Sequence, residues 1–431
     1  MLDATFAPPA PRSFALSEHR NLRFATLFLL YFAQGVPFGL IDYSLLAWLA
    51  QKGASAAAIG GVLAMIVLPW TFKLPYGLLM DRYAFLAMGR RRPWIIIGQS
   101  GLVAALVAMA VVNPGASQIS VISAFAFALG LFSAVQDVAV DGLAVDILPA
   151  DEIEQVNGYM FGGQAIGTAV AAAASGYLIA YVGLPAAALA LAAIIAAILI
   201  LVLIVRERDG ERLLPWTSGA ASQRNLALHL GAFGPILRNL LSAMFTRQTL
   251  LLVPSFVASQ AGWGIFLGLA PLFAANVLGW EKNIYSGWGG QASLVAGVAG
   301  GLVFGVIAGR WGARRMFIAC ALLTAAFACA MFAMQAQWSN PVLFITAIFA
   351  FTALSVFRAV TSGALAMRLC SPAIAATQFA VFMALMNLGR SVASAGLGWL
   401  DSMGGIPAMY IAMIVSSLIA AGFAFAAKVG R

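Results

Sequence analysis

Pro69-Trp70-Thr71-Phe72-Lys73 runs into Gly77-Leu78-Leu79-Met80-Asp81-Arg82, and after six residues comes Gly89-Arg90-Arg91-Arg92-Pro93-Trp94. An apolar segment carries one lysine, meets an Asp-Arg pair, crosses three arginines and leads at once into a second apolar segment. That is the pattern of a short charged loop clamped between two membrane helices. The rest of the chain bears on whether this reading holds.

Of the 431 residues, 62% are hydrophobic and 9% charged, with a mean hydropathy of +0.95. Soluble domains carry about 25% charged residues, so composition excludes a soluble globule and a disordered chain alike. In lipid the backbone has no water to bond, and only helices or closed barrels can span. Barrels need polar and apolar residues in alternation. Here the apolar runs are near-continuous over about 20 residues, the length of a helical crossing. They fall at 24–49, 57–79, 93–112, 118–144, 156–182, 185–205, 249–278, 286–308, 315–335, 341–369, 374–400 and 405–427. The expected fold is an all-α membrane protein with twelve spans.

The net charge is +9. The basic residues lie between the apolar runs, which is a topology signal and not a nucleic-acid surface. With the N-terminus in the cytoplasm, the outer loops hold only Lys52 and Lys282. Lys73, Arg358 and Arg390 lie inside spans, and nineteen of the 24 basic residues are cytoplasmic. The positive-inside rule therefore places both termini in the cytoplasm of a multi-pass inner-membrane protein. The expected organisation is a cytoplasmic tail at 1–23, a six-helix bundle at 24–205, a cytoplasmic linker at 206–248, a second bundle at 249–427 and a cytoplasmic end at 428–431. The proline-rich tail (Pro8, Pro9, Pro11) lacks the form of a signal peptide. Leu226, Leu230, Ile236, Leu240 and Leu241 suit an amphipathic helix on the membrane surface.

The halves repeat. Gly167, Gly176 and Tyr177-Leu178 match Gly389, Gly398 and Trp399-Leu400 at an offset of 222. Gln34 and Gly53 match Gln260 and Gly279 at 226, and Gly77, Arg82 and Tyr83 match Gly305, Arg310 and Trp311 at 228. Six-plus-six duplication about a central loop resembles the layout of the major facilitator superfamily. Gly77 to Arg82 followed by Gly89 to Arg92 resembles that superfamily's signature loop between helices 2 and 3. A degraded copy runs from Gly305 to Arg315, with Gly309 where the first copy has Asp81. The resemblance implies a latch between the halves made of Asp81, Arg82, Gly89, Arg90, Arg91 and Arg92, with Arg310 and Arg314 in the second copy. Asp81 would pair with arginines or cap a neighbouring helix N-terminus. The alternative is a solvated charge cluster that only sets topology.

Pro69 to Lys73, and Gln136-Asp137-Val138-Ala139-Val140-Asp141-Gly142, resemble the peptide/acetyl-CoA/drug transporter branch. That branch includes muropeptide permeases of the AmpG type, siderophore permeases and acetyl-CoA carriers. Muropeptide permeases often carry further helices, so a chain of twelve favours a shorter relative.

Ionisable residues inside a bilayer cost about 2.5–3.5 kcal/mol each on insertion scales, which makes them functional candidates. Asp137 and Asp141 share one face of helix 4. With Asp42 and Lys73 they are candidates for proton coupling or gating. Lys73 is expected to pair with a carboxylate such as one on helix 4. Asp141 and Asp146 lie near the loop arginines and could simply pair with them. Arg358 and Arg390 offer fixed positive charge to an anionic substrate, or pair with Asp42 or Asp137. Gln34, Gln260 and Gln136 are candidate substrate contacts, against the commoner role of bonding a neighbouring helix. In the superfamily, helices 1, 4, 7 and 10 line the cavity, which would put Asp42, Asp137, Asp141 and Arg358 on the transport path. Cys320, Cys329 and Cys370 lack ligand spacing, so no metal is expected.

The expected function is secondary transport of a medium-sized, partly anionic metabolite by alternating access, driven by protons and running inward. The expected partners are a small-molecule substrate, protons and the bilayer, with no cofactor and no nucleic acid, in a monomer. No Gly-Lys-Ser/Thr phosphate loop occurs, which excludes an ATP-driven pump. Only His19 and His229 are present, with no catalytic set for a membrane enzyme. Export, or a channel, are the alternatives. Gln136-Asp137 stands where proton antiporters carry an arginine, which disfavours a drug exporter.

Overall fold

The apolar runs become helices wherever they are long enough to satisfy their own backbone. The computed structural model describes residues 14–427 other than 55 and 281. Span 1 is Arg20–Leu49, span 2 Gly61–Arg82, span 3 Arg92–Val112, span 4 Ile119–Ile147, span 5 Ile153–Tyr181 and span 6 Leu184–Ile204. Span 7 is Arg247–Ala274, span 9 Ala313–Ala333, span 10 Pro341–Leu369, span 11 Pro372–Ala395 and span 12 Leu397–Ala426. Span 8 is built in three pieces: an α-helix Lys282–Ala299, a π-helical stretch Gly300–Phe304 and an α-helix Gly305–Trp311. Span 1 carries a similar π-helical stretch at Gly39–Leu45, which contains Asp42.

Local chemistry sets the ends. Asn340 accepts a bond from the amide of Val342 at 3.0 Å, with Pro341 next to it in the first turn of span 10. Thr246 caps span 7 in the same way. Within span 2, Pro69 lies in a 3-10 turn, Leu68–Phe72, after which the α-helix restarts at Lys73. Gly404 and Gly405 leave helical geometry and break the stretch Leu397–Ala426 near its start.

The repeat is visible in packing. A side chain at Gly167 would meet the carbonyl of Phe32 at 2.1 Å, and one at Gly389 that of Val257 at 2.5 Å. Spans 5 and 11 therefore lie close on spans 1 and 7 through equivalent glycines.

Leu27, Met80, Val138, Phe256, Phe317, Leu365 and Phe379 belong to one buried cluster that mixes spans of both halves. A second cluster, with Val36, Leu102 and Ala171, stays within spans 1–6, and a third, with Phe273, Phe344 and Met413, within spans 7–12. The halves thus share a core at the end that carries the 81–92 loop, called here the basic end. Beyond it each half has its own core.

Residues 14–19 do not hang free before span 1. The amide of Leu16 donates to the carbonyl of Arg206, and that of Arg206 to Phe14, both at 2.8 Å. Arg23 forks onto Glu152 at 2.7 and 2.9 Å. Residues 1–13 and 428–431 of the two expected tails lie outside the described residues. In the linker, the helix Phe233–Met244 buries Ile236 and Leu240 against Leu74, Leu78 and Ile374, while Leu237 and Leu241 stay exposed.

Candidate functional site

The ionisable residues inside the spans sort into two groups, one in each half. In the first half, spans 1, 2 and 4 converge. Lys73 forms an ion pair with Asp137, and Gln34 donates to the other oxygen of the same carboxylate. One turn along span 4, Asp141 accepts from the hydroxyl of Tyr31. Lys73, Asp137 and Asp141 are each 3% exposed. Lys73 also stands 4.5 Å from the centre of the Trp70 ring. One of the two carboxylates thus holds the lysine, and a phenol satisfies the other. Such burial tolerates charge only while it is paired.

Gln136, next in sequence to Asp137, turns the other way and donates to the carbonyl of Leu30 at 2.7 Å, fastening span 4 to span 1. Asp42 stands apart from the cluster, and its buried Oδ1 has no partner among the described residues.

In the second half, Arg358 and Arg390 lie over one aromatic ring. Their guanidinium carbons are 5.3 and 5.0 Å from the centre of Trp263. The two arginines are not paired with Asp42 or Asp137. Asp137 is taken by Lys73, and among the described residues no carboxylate lies within ion-pair reach of either arginine. Arg358 is 8% exposed, and its Nη1 has no hydrogen-bond partner among the described residues. A small cavity beside it, of about 10 Å³, is lined by Ser259, Thr324, Ser355 and Ser417. Gln260, one turn before Trp263 on span 7, also has an unpartnered buried oxygen. A buried cation without an anion is costly, and this one borders a cavity lined by hydroxyls.

The loop residues form the third group, at the basic end. Asp81 is fully buried. Its Oδ1 pairs with Arg91 and, at 3.8 Å, with Arg90. Its Oδ2 accepts from the amide and the hydroxyl of Thr377 at 2.9 and 2.6 Å. Thr377 is in the first turn of the helix Ala375–Ala395, so Asp81 caps span 11 across the interface between the halves. Gly77 makes room for this: a side chain there would meet Thr377 Cα at 2.7 Å. Arg90 donates to the carbonyls of Pro372 and Ala373 at 2.7 and 2.9 Å. It also pairs with Asp146 at 3.2 Å, and Arg91 does so at 3.3 Å.

Other loop residues do different work. Arg92 donates to the carbonyls of Val202 and Leu203 at 2.8 and 2.9 Å and closes the end of span 6. Arg82 turns away onto the ring of Tyr83 at 5.0 Å. Gly89, with φ +97°, turns the chain so that the amides of Arg90, Arg91 and Arg92 all point to Glu207, at 2.9, 2.7 and 2.5 Å.

The second copy closes differently. Arg314 donates to the carbonyls of Ala424 and Phe425, and Arg310 is exposed. The acid missing at Gly309 is supplied by Glu154 of span 5, which pairs with Arg368 at 2.7 Å. Thr377, Glu207 and Glu152 are members of these networks that the sequence reading did not single out. Only Glu207, in the charged run after span 6, left a trace there.

The Major Facilitator Superfamily family model matches residues 27–394. The chain is 25% identical to the anhydromuropeptide permease of Escherichia coli K12 over 397 residues, 92% of this chain and 78% of that one. It is 32% identical to "Putative transporter AmpG 4" of Rickettsia felis over 130 residues, 30% of this chain and 31% of that one. Among solved structures, the fucose transporter FucP in the outward conformation aligns with a TM-score of 0.68 at 14% identity, covering 94% of this chain and 98% of FucP. The proton:xylose symporter XylE aligns with a TM-score of 0.67 at 13% identity, covering 95% and 96%.

Proposed function

The chain belongs to the Major Facilitator Superfamily, a multi-pass membrane transporter of twelve helices, and we propose that it is a proton-coupled importer of a medium-sized, carboxylate-bearing metabolite. The observation that carries this reading is the division of charge inside the membrane. The first half holds an acid already paired with a lysine, and the second holds two cations around one tryptophan with no carboxylate in ion-pair reach among the described residues.

In this mechanism the substrate's anionic group binds at Arg358 and Arg390, and a planar part of it packs on the face of Trp263. A proton taken up by Asp137 breaks its pair with Lys73 and loosens the hold of Gln34. That change in the first half permits the two bundles to rock about the central site. Gln260 lines the second-half side, and Asp42, alone in the π-helical stretch of span 1, is a second protonatable group toward the other end. The similarity to anhydromuropeptide permeases supports a sugar–peptide fragment as cargo.

Asp81, with Arg90 and Arg91, acts in this reading as the latch that holds the basic end closed. The distribution of lysine and arginine supports the basic end being cytoplasmic, with the protein in the inner membrane. The protein works as a monomer.

The test is transport in proteoliposomes with a labelled anhydromuropeptide as the first substrate. Asp137→Asn is expected to abolish accumulation driven by a proton gradient while leaving exchange of labelled for unlabelled substrate intact. Undiminished accumulation by that variant refutes the coupling role.

A further inference from the structure

We infer that the basic end carries a second anion site, apart from the transport path, which takes the phosphate headgroup of an anionic phospholipid. The site is a cleft of about 500 Å³ on the seam between the halves. Ala150, Asp151 and Glu154 form its first-half wall, and Gly309–Arg315, Leu365 and Arg368 its second-half wall. Four guanidinium groups face two carboxylates. Arg368 and Glu154 are paired with each other, and Arg314 is spent on two carbonyls of span 12. Arg310 and Arg315 remain exposed, with no hydrogen-bond or ion-pair partner among the described residues. Asp151, also exposed, is the one carboxylate of the lining that no arginine holds, and the free arginines outnumber it.

The difference between the two loop copies accounts for the cleft. In the first copy Asp81 absorbs Arg90 and Arg91 and fills the seam. In the second, Gly309 stands at the acid's position, Arg314 turns to span 12, and Arg310 and Arg315 stay exposed on the cleft. Paired guanidiniums bind phosphate oxygens through short, charge-assisted bonds. The apolar part of the lining selects a lipid over a free phosphate. Trp311 is 63% exposed in the cleft, as an aromatic anchor at a headgroup layer would be. Because both halves contribute walls, the cleft exists only with the basic end closed. A bound headgroup therefore favours that conformation.

The experiment is native mass spectrometry of the full-length protein with phosphatidylglycerol, read as the fraction of protein that retains the lipid. Arg310→Gln and Arg315→Gln are each expected to weaken retention about fivefold, the factor that ~1 kcal/mol per basic side chain near an anionic surface gives. Arg224→Gln removes an exposed arginine of the linker and is expected to change nothing. Gly309→Asp restores the acid of the first copy and is expected to reduce retention with every arginine in place, so the outcome does not hang on one variant's folding. Equal retention in wild type, Arg310→Gln, Arg315→Gln and Gly309→Asp overturns the site. Displacement of the lipid from the wild type by millimolar inorganic phosphate at constant ionic strength overturns the lipid as its occupant.

Discussion

Thr377→Val removes one hydroxyl from the seam between the halves and leaves nearly everything else in place. Valine matches threonine in shape and in β-branching, so the first turn of span 11 keeps its geometry. The bonds of Arg91 to Asp81, and of Arg90 and Arg91 to Asp146, lie wholly within the first half. They persist whether the basic end is open or closed, and so do not bias that equilibrium. What differs between the states is the set of bonds that cross the seam: Asp81 to the amide and hydroxyl of Thr377, and Arg90 to the carbonyls of Pro372 and Ala373. A hydrogen bond to a charged group contributes about 1.5–3 kcal/mol net. Asp81 keeps its arginines and one amide, so the lower part of that range, about 1.5–2 kcal/mol, applies. The population with the basic end open should then rise about ten- to thirtyfold.

Cys370 reports this directly. It is buried in the closed arrangement, between spans 10 and 11, and burial pushes its thiol well above the usual range. With Cys320→Ala and Cys329→Ala as background, its reaction with a charged maleimide has to pass through the open state. The rate is expected to rise at least tenfold in Thr377→Val and to stay at the parent value in Thr377→Ser, which keeps the hydroxyl. A rate within twofold of the parent in a folded Thr377→Val refutes the view that Asp81 latches the basic end.

Arg358→Lys keeps the charge but loses the planar fork over Trp263, and substrate affinity measured by equilibrium binding should fall about tenfold or more; an unchanged affinity removes Arg358 from the substrate site. Gly89→Ala forces a side chain into a conformation that costs about 1–3 kcal/mol. It would also bring a methyl group within 2.4 Å of Glu207 Cδ. Thermal unfolding should move down by several degrees, and no shift would mean that Glu207 is not held there. Glu211 has its carboxyl pushed up to about 7 by burial and by the neighbouring charge of Glu207. Its folded value is above its ordinary one of 4.5, so the stability it contributes to linker docking is full below that pH and is lost as pH rises through 7. The protection of residues 206–225 against hydrogen exchange, taken relative to the intrinsic rate at each pH, should accordingly fall between pH 5 and 8, and Glu211→Gln should flatten that dependence.

Hydropathy is a local property, so the spans were legible from sequence alone, as was the charged loop that opens the reading. The i, i+4 spacing of Asp137 and Asp141 put both on one face of span 4, and Lys73 was expected to meet a helix 4 carboxylate, which it does at Asp137. What sequence could not supply was the partner across a long separation. Asp81 meets Thr377 almost 300 positions away, and nothing in a threonine inside an apolar run marks it as a capped residue. Arg358 and Arg390 read either as contacts for an anionic substrate or as partners for an acid. That they share a tryptophan follows from the separation of the two cores, which only packing decides.

The two loop copies show how one duplicated element comes to do two jobs. In both halves the loop after the second crossing delivers arginines to the seam, because the repeat preserves helix order and therefore where the loop lands. The acid decides what the arginines do there. Asp81 turns them inward, so that Arg90 can reach span 11, and Glu207 holds their backbone in place from the linker. At the second seam the acid sits on the opposite wall, at Glu154, and engages Arg368 of span 10, not the loop. The contact across the halves survives, but it is made without the loop arginines. A latch whose acid and arginines belong to one half is rigid and can only cap its target. One whose acid lies across the seam leaves cationic side chains free, and its strength then depends on what the surroundings supply to them.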